Sequence, residues 1–162
     1  MILKKKIYKI ATILPYKESY TFDYASAVSL WVSEYYKRSK FRKNNFIFGN
    51  TNPGKYLTKN YINIPLNNLK LRFKSTSNEY TDKLIKELNK KNIELIEVHN
   101  RPLVLIKLLD KIKSKFIMYF HNDPLSMSGS KTISERKEIL NKVNKLIFIS
   151  EWVKKRFFKG LE

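Results

Sequence analysis

Short apolar runs and helix-spaced apolar positions alternate along this chain, the pattern of an α/β domain with a mostly parallel sheet. Ile7, Ile10, Ala11, Ile13 and Leu14 predict a first strand over residues 7–14, closed by Pro15. After a loop at 16–22, Tyr24, Ala27, Val28, Trp31 and Tyr35 fall at helical spacing. They predict a helix capped by Asp23 with Tyr24, Ala27, Val28 and Trp31 in the core. Lys37, Arg38 and Lys40 mark its end, where cations complement the helix dipole. Phe46, Ile47 and Phe48 before Gly49 predict a second strand, and Tyr61, Ile62 and Ile64 before Pro65 a third, with a Gly and Pro turn at 51–54 between them. Residues 66–77 show no period and read as a mobile loop. Asn78 then caps a predicted helix through Lys91 that buries Leu84, Ile85 and Leu88.

The most informative signal is a repeat. Ile93, Leu95, Ile96 and Val98 run into His99 and Asn100, and residues 116–120 run in the same way into His121, Asn122 and Asp123. The stretch 101–115 is long enough for one helix, so the pair predicts a βαβ unit with two histidine-ended strands. Ligands of open parallel sheets bind outside the strands' carboxyl ends, and these are the chain's two histidines. Both are predicted to face one crevice. Further on, 132–141 predicts a helix and Leu146, Ile147, Phe148 and Ile149 a strand ending at Ser150. Residues 151–158 predict a closing helix stopped by Gly160.

With 162 residues, 43% of them apolar and 14% aromatic, residues 1–162 form a single domain able to bury a core. The absence of cysteine excludes a disulfide framework, a thiolate zinc site and a cysteine nucleophile. The basic N-terminus lacks the sustained apolar region of a signal peptide, and no apolar run approaches the roughly 18 to 20 residues of a membrane helix. A cytoplasmic setting is expected. The net charge of +19 suits an anionic partner such as nucleic acid or an acidic membrane surface. Lysine supplies nearly all of it, however, alongside abundant asparagine and isoleucine, as an AT-rich coding sequence would give, whereas bidentate phosphate and base contacts favour arginine. A solvated lysine surface and functional attraction to anions both remain open. With glycine at positions 49, 54, 129 and 160 only, the chain has no G-x-G-x-x-G and no P-loop, the usual signatures of dinucleotide redox and P-loop phosphoryl transfer.

The two histidine-bearing strand ends, followed by a strand ending in Ser150 and a basic-apolar helix through Trp152, Val153, Lys154, Lys155, Arg156 and Phe157, resemble the N-terminal half of a GT-B glycosyltransferase of glycosyltransferase family 4. The resemblance covers nearly the whole chain. It implies a Rossmann-like three-layer domain with a mostly parallel sheet, one half of a GT-B fold, with the family's donor-binding C-terminal domain absent. It further implies retaining transfer of a sugar from a nucleotide-sugar to a cell-surface glycan or lipid-linked acceptor, such as a polysaccharide or lipopolysaccharide precursor. No cofactor and no obligatory metal are implied, and the isolated chain would be incomplete. In that scheme this half supplies the acceptor surface. His121 would hydrogen-bond the sugar or leaving phosphate, Asp123 would fix its orientation, and His99, Asn100, Asn122 and Ser150 would line the cleft. Lys17 and Ser19 would touch acceptor or phosphate from a first loop that, unlike the family's, has no glycine.

Each residue also has a plainer reading. A strand-end histidine is commonly a structural hydrogen-bonder, and Asp123 before Pro124 is ordinary turn chemistry. A zinc site from His99, His121 and Asp123 has the minimum ligand number, but separate strand ends rarely converge on tetrahedral geometry, and no metal is expected. Lys4, Lys5 and Lys6, the basic residues of 38–43, and Lys154, Lys155 and Arg156 are either plain surface or a means of peripheral attachment to the anionic inner face of a membrane. Trp152, Phe157 and Phe158 are candidates for an apolar patch near the closing helix. The competing function is a basic nucleic-acid-binding module on a Rossmann-like scaffold, supported by charge with interleaved aromatics.

Overall fold

The computed structural model describes residues 8–66 and 75–161. Six strands form one all-parallel sheet in the order β3-β2-β1-β4-β5-β6: β1 (Ile10–Ile13), β2 (Asn45–Gly49), β3 (Tyr61–Asn63), β4 (Leu95–His99), β5 (Lys115–Phe120) and β6 (Lys145–Phe148). Five helices accompany them: α1 (Ala27–Arg38), α2 (Thr76–Asn89), α3 (Pro102–Leu109), α4 (Ile133–Lys142) and α5 (Glu151–Phe158). The result is a Rossmann-like α/β domain. From the central pair β1 and β4 the chain winds outward in opposite directions, so the topological switch point lies between them, where such sheets open a ligand crevice.

The expected strands and helices are in place, with shifts at their ends that have local causes. Ser26, not Asp23, caps α1, its side chain accepting the Ser29 N–H at 3.2 Å. The helix therefore starts later than expected and turns a different stripe inward: Val28, Ser29, Val32 and Ser33. Tyr24 is 81% exposed outside the helix, and Trp31 and Tyr35 stand at the helix edge, more than a third exposed, rather than in the core. The small serines let the helix approach the sheet, which pushes the bulky rings to the rim. Ser75, not Asn78, caps α2, accepting the Asn78 N–H at 3.2 Å, and Tyr80, Thr81, Leu84 and Leu88 are buried, with Ile85 partly so. Of the expected loop 66–77, residues 67–74 lie outside the described residues, as do Ile7 and the Lys4 to Lys6 cluster. Thr132 and Glu135 form a reciprocal capping box at α4. Gly160 ends the chain's last helix region at φ +73°, as expected of a C-terminal stop.

Two apolar cores separate across the sheet. On one side α2, α3, α4 and α5 cover Ile96, Val98, Met118 and Phe120 with Leu84, Leu105, Ile139 and Phe157. On the other, α1 and the loops after β1 and β2 gather Leu14, Tyr20, Val28, Val32, Ile47 and Tyr61. Phe157 is thus core, and only Trp152 and Phe158 of the expected apolar patch are exposed. Among the described residues no helix is long and apolar enough to cross a membrane.

Candidate functional site

Strand alternation sends Ile96, Val98, Met118 and Phe120 to the dry side of the sheet and Glu97, His99, Tyr119 and His121 to the α1 side. His99 Nδ1 and His121 Nε2 lie 2.9 Å apart, so the two imidazoles share one hydrogen bond; they come together, but His99 is buried behind His121 rather than facing a shared crevice as expected. His99 is fully buried. Its ring stacks on Tyr119 at 4.4 Å, and its Nε2 has no partner. Trp31 covers both histidines, with ring centroids 5.8 Å from His99 and 5.2 Å from His121, and Tyr35 stacks on Trp31 at 5.5 Å. Burial, reinforced by the neighbouring His121, holds the His99 pKa well below that of an ordinary imidazole. Burial also lowers His121, against the opposing charge of Glu18 on the loop after β1. Both rings are therefore neutral near pH 7. His121, partly open to solvent at the carboxyl edge of the sheet, can give or take a hydrogen bond there while His99 fixes its ring.

Beneath the pair runs a polar thread. Glu97 Oε2 and Asn45 Oδ1 lie 3.0 and 3.1 Å from the Thr12 hydroxyl, all three groups being buried. One hydroxyl proton cannot serve two acceptors, and burial raises the Glu97 pKa. A protonated Glu97 that donates to Thr12, which donates to Asn45, satisfies every group.

The other expected site residues divide. Asn100 adopts a left-handed φ of 49°, and its Oδ1 accepts the backbone N–H groups of His121 at 2.8 Å and Asn122 at 3.3 Å, so it clamps the end of β5 to the end of β4. The Asn122 side chain is exposed. Asp123 does not reach His121: one oxygen accepts the Leu125 N–H, capping the turn Pro124–Ser126, and the carboxylate meets Arg156 at 2.8 Å. The expected orienting role for Asp123 is corrected to that of a brace between the β5 loop and α5, and Arg156 is correspondingly not a free surface cation. Ser150 caps α5, accepting the Val153 N–H. Among the described residues no three His, Asp or Glu side chains converge as a metal-holding group.

Two clefts flank the loop after β1. The larger, about 490 Å³, lies between that loop and the one after β2, and Lys17, Ser19, Thr21, Asn50 and Thr51 line it. The smaller, about 290 Å³, opens toward β4 and β5, with Tyr16, Lys17, Ser77, Asn100 and Arg101 in its wall. Lys17 borders both and Ser19 only the larger. Sequence reasoning missed Trp31, Tyr35, Glu97 and Arg101 as site residues. Glu97 alone offered a cue, being a carboxylate in an otherwise apolar strand two residues before a histidine. No protein-family model matches this chain, and no curated protein matches it either.

Proposed function

We propose that this domain is the acceptor-side half of a retaining glycosyltransferase, which moves a sugar from a nucleotide-sugar to a cell-surface glycan or lipid-linked acceptor together with a donor-binding domain or subunit. The observation that supports it is the partly open, neutral His121 at the carboxyl edge of the sheet, backed by the buried His99 and close to the switch-point clefts. In this reading His121 hydrogen-bonds the transferring sugar or the leaving phosphate. His99 holds the ring, Asn100 fixes the backbone that carries it, and Trp31 shields its far side from water.

Imidazole nitrogen NMR of the chain, titrated with nucleotide-sugars and with glycan and lipid-linked acceptor analogues, tests the reading. The expected result is a saturable shift at His121 with at least one acceptor class, abolished in His121→Ala. A panel that leaves His121 unmoved would overturn it. So would single-stranded RNA that binds saturably near physiological salt and shifts the same ring, which would install the nucleic-acid module instead.

A further inference from the structure

Arg101 follows the left-handed Asn100 at the end of β4. Its Nη1 donates to the Asn100 carbonyl at 2.9 Å, and its guanidinium lies 5.2 Å over the Tyr16 ring. Its Nε–H is buried with no partner among the described residues. Across the smaller cleft, Ser77 in the first turn of α2 is also buried, and its hydroxyl is likewise without a partner. Lys17 stands exposed at the rim, and among the described residues no carboxylate lines this cleft. Buried donors without partners are rare because each carries its full desolvation cost, and a guanidinium lacking a counter-charge is the costlier case. Donors from three separate elements, two of them cationic, converge here on one small space. That arrangement suits a group with several acceptor oxygens.

We infer that the cleft bounded by Arg101, Ser77 and Lys17 binds a phosphoryl group of the ligand. Arg101 supplies the charged fork, Ser77 a hydroxyl from the opposite wall and Lys17 a rim cation. Because Lys17 also borders the larger cleft, the rest of a phosphorylated ligand has a path toward Ser19 and Thr21. The inference rests on the glycosyltransferase reading only for what carries the phosphate, an acceptor phosphate or a nucleotide-sugar diphosphate.

Calorimetry and NMR with inorganic phosphate, a sugar 1-phosphate, a nucleoside diphosphate and the neutral parent sugar, at about 150 mM salt to screen diffuse attraction, test it. The phosphorylated probes should bind saturably, and the neutral sugar at least about tenfold more weakly. Arg101→Gln should weaken phosphate binding by about tenfold or more, and Arg101→Lys, which keeps charge and stem should the first variant not fold, by less. Lys154→Ala, an exposed control on α5, should change it by less than about twofold. Unchanged binding in Arg101→Gln, or in Arg101→Lys if only that variant folds, would overturn the site, as would equal losses in the arginine and Lys154 variants. Sugar 1-phosphate tighter than diphosphate identifies the acceptor as the carrier, and the reverse order the donor. Arg101-dependent phosphate binding without any saccharide effect at His121 would keep the subsite and remove the glycosyltransferase reading. A saccharide effect at His121 without Arg101 dependence would do the opposite.

Discussion

Replacing His99 with phenylalanine keeps a ring between Tyr119 and Trp31 and removes one buried titratable group, so its effect on the pH dependence of stability can be worked out. In the unfolded chain the imidazole titrates near 6.5, whereas in the fold burial and His121 hold it well below that. The folded state therefore binds fewer protons. The stability tied to a neutral His99 is complete above about pH 6.5 and is lost as the pH falls below it, at about 1.4 kcal/mol per unit until the folded pKa is reached. By about pH 5.5 the loss through His99 amounts to about 1.4 kcal/mol. The groups facing it are His121 across the hydrogen bond, Tyr119 on β5, and Trp31 and Tyr35 on α1, with Glu97 two residues back on β4 and Glu18 beyond His121. Glu97 acts with the opposite sign, since its raised pKa eases folding as the pH falls, but it is common to both proteins and cancels in the difference. Urea unfolding of wild type and His99→Phe between about pH 8 and 5.5 reads the effect directly, and wild type should lose about 1.4 kcal/mol more than the variant over that interval. A constant offset at all pH values reflects repacking and leaves the reasoning intact. Curves that stay parallel within about 0.5 kcal/mol would refute it.

Substitutions at four further positions probe the scaffold around the pair. Gly129 sits at φ +92°, and a Cβ there would lie 2.4 Å from the Leu103 nitrogen, so Gly129→Ala should cost on the order of 3 kcal/mol in thermal or urea unfolding; a loss below about 1 kcal/mol would contradict that packing. Asn100→Gly keeps the left-handed backbone but drops two hydrogen bonds to the β5 loop, so it should destabilise by about 1–3 kcal/mol and shift the His121 imidazole signal, whereas Asn100→Asp, which retains the acceptor oxygen, should restore most of both. Glu97→Gln supplies a permanent donor to Thr12, so its stability relative to wild type should rise with pH above the ordinary carboxylate range; a relative loss at about pH 8 would show that the buried carboxyl is ionised. Asp123→Ala removes a turn cap and a partly exposed ion pair, for about 1 kcal/mol in urea unfolding, and should leave the His121 signal in place; a moved signal would return Asp123 to the site.

What was legible in the sequence was what depends on local pattern. The histidine-ended strands announced a βαβ unit because apolar runs and a helix-length spacer suffice to specify one, and their parallel pairing then brings the two rings together. The start of α1 was misread because Asp23 and Ser26 are both good caps, and the choice between them depends on tertiary contacts of the preceding loop, such as the antiparallel bridge from Thr21 to Tyr56. That slip carried Tyr24 and Trp31 into the expected core. The family resemblance gave Asp123 an orienting role beside His121, while its partner Arg156 lies 33 residues away. Arg101 was one of many cations in a chain of charge +19, and only the fold shows that no carboxylate among the described residues shares its cleft.

The two sides of the sheet give the site its shape. Beneath α2, α3 and α4 the inward residues of β4 and β5 are uniformly apolar, and these helices anchor both strands through a dry core. Beneath α1 the same strands present Glu97, His99 and Tyr119, and the helix meets them with Trp31 and Tyr35 at its edge rather than with aliphatic side chains. Polar groups buried in that layer cost stability unless each finds a partner, and several do, through the Glu97–Thr12–Asn45 thread and the histidine pair. Among the described residues of this layer, the atoms left over are Ser29 Oγ on the inward face of α1 and His99 Nε2, behind the His121 ring. An apolar strand pair would serve the fold equally well there, so the thread and the histidines are better explained by the need to hold His121 neutral and in one orientation at the carboxyl edge than by stability.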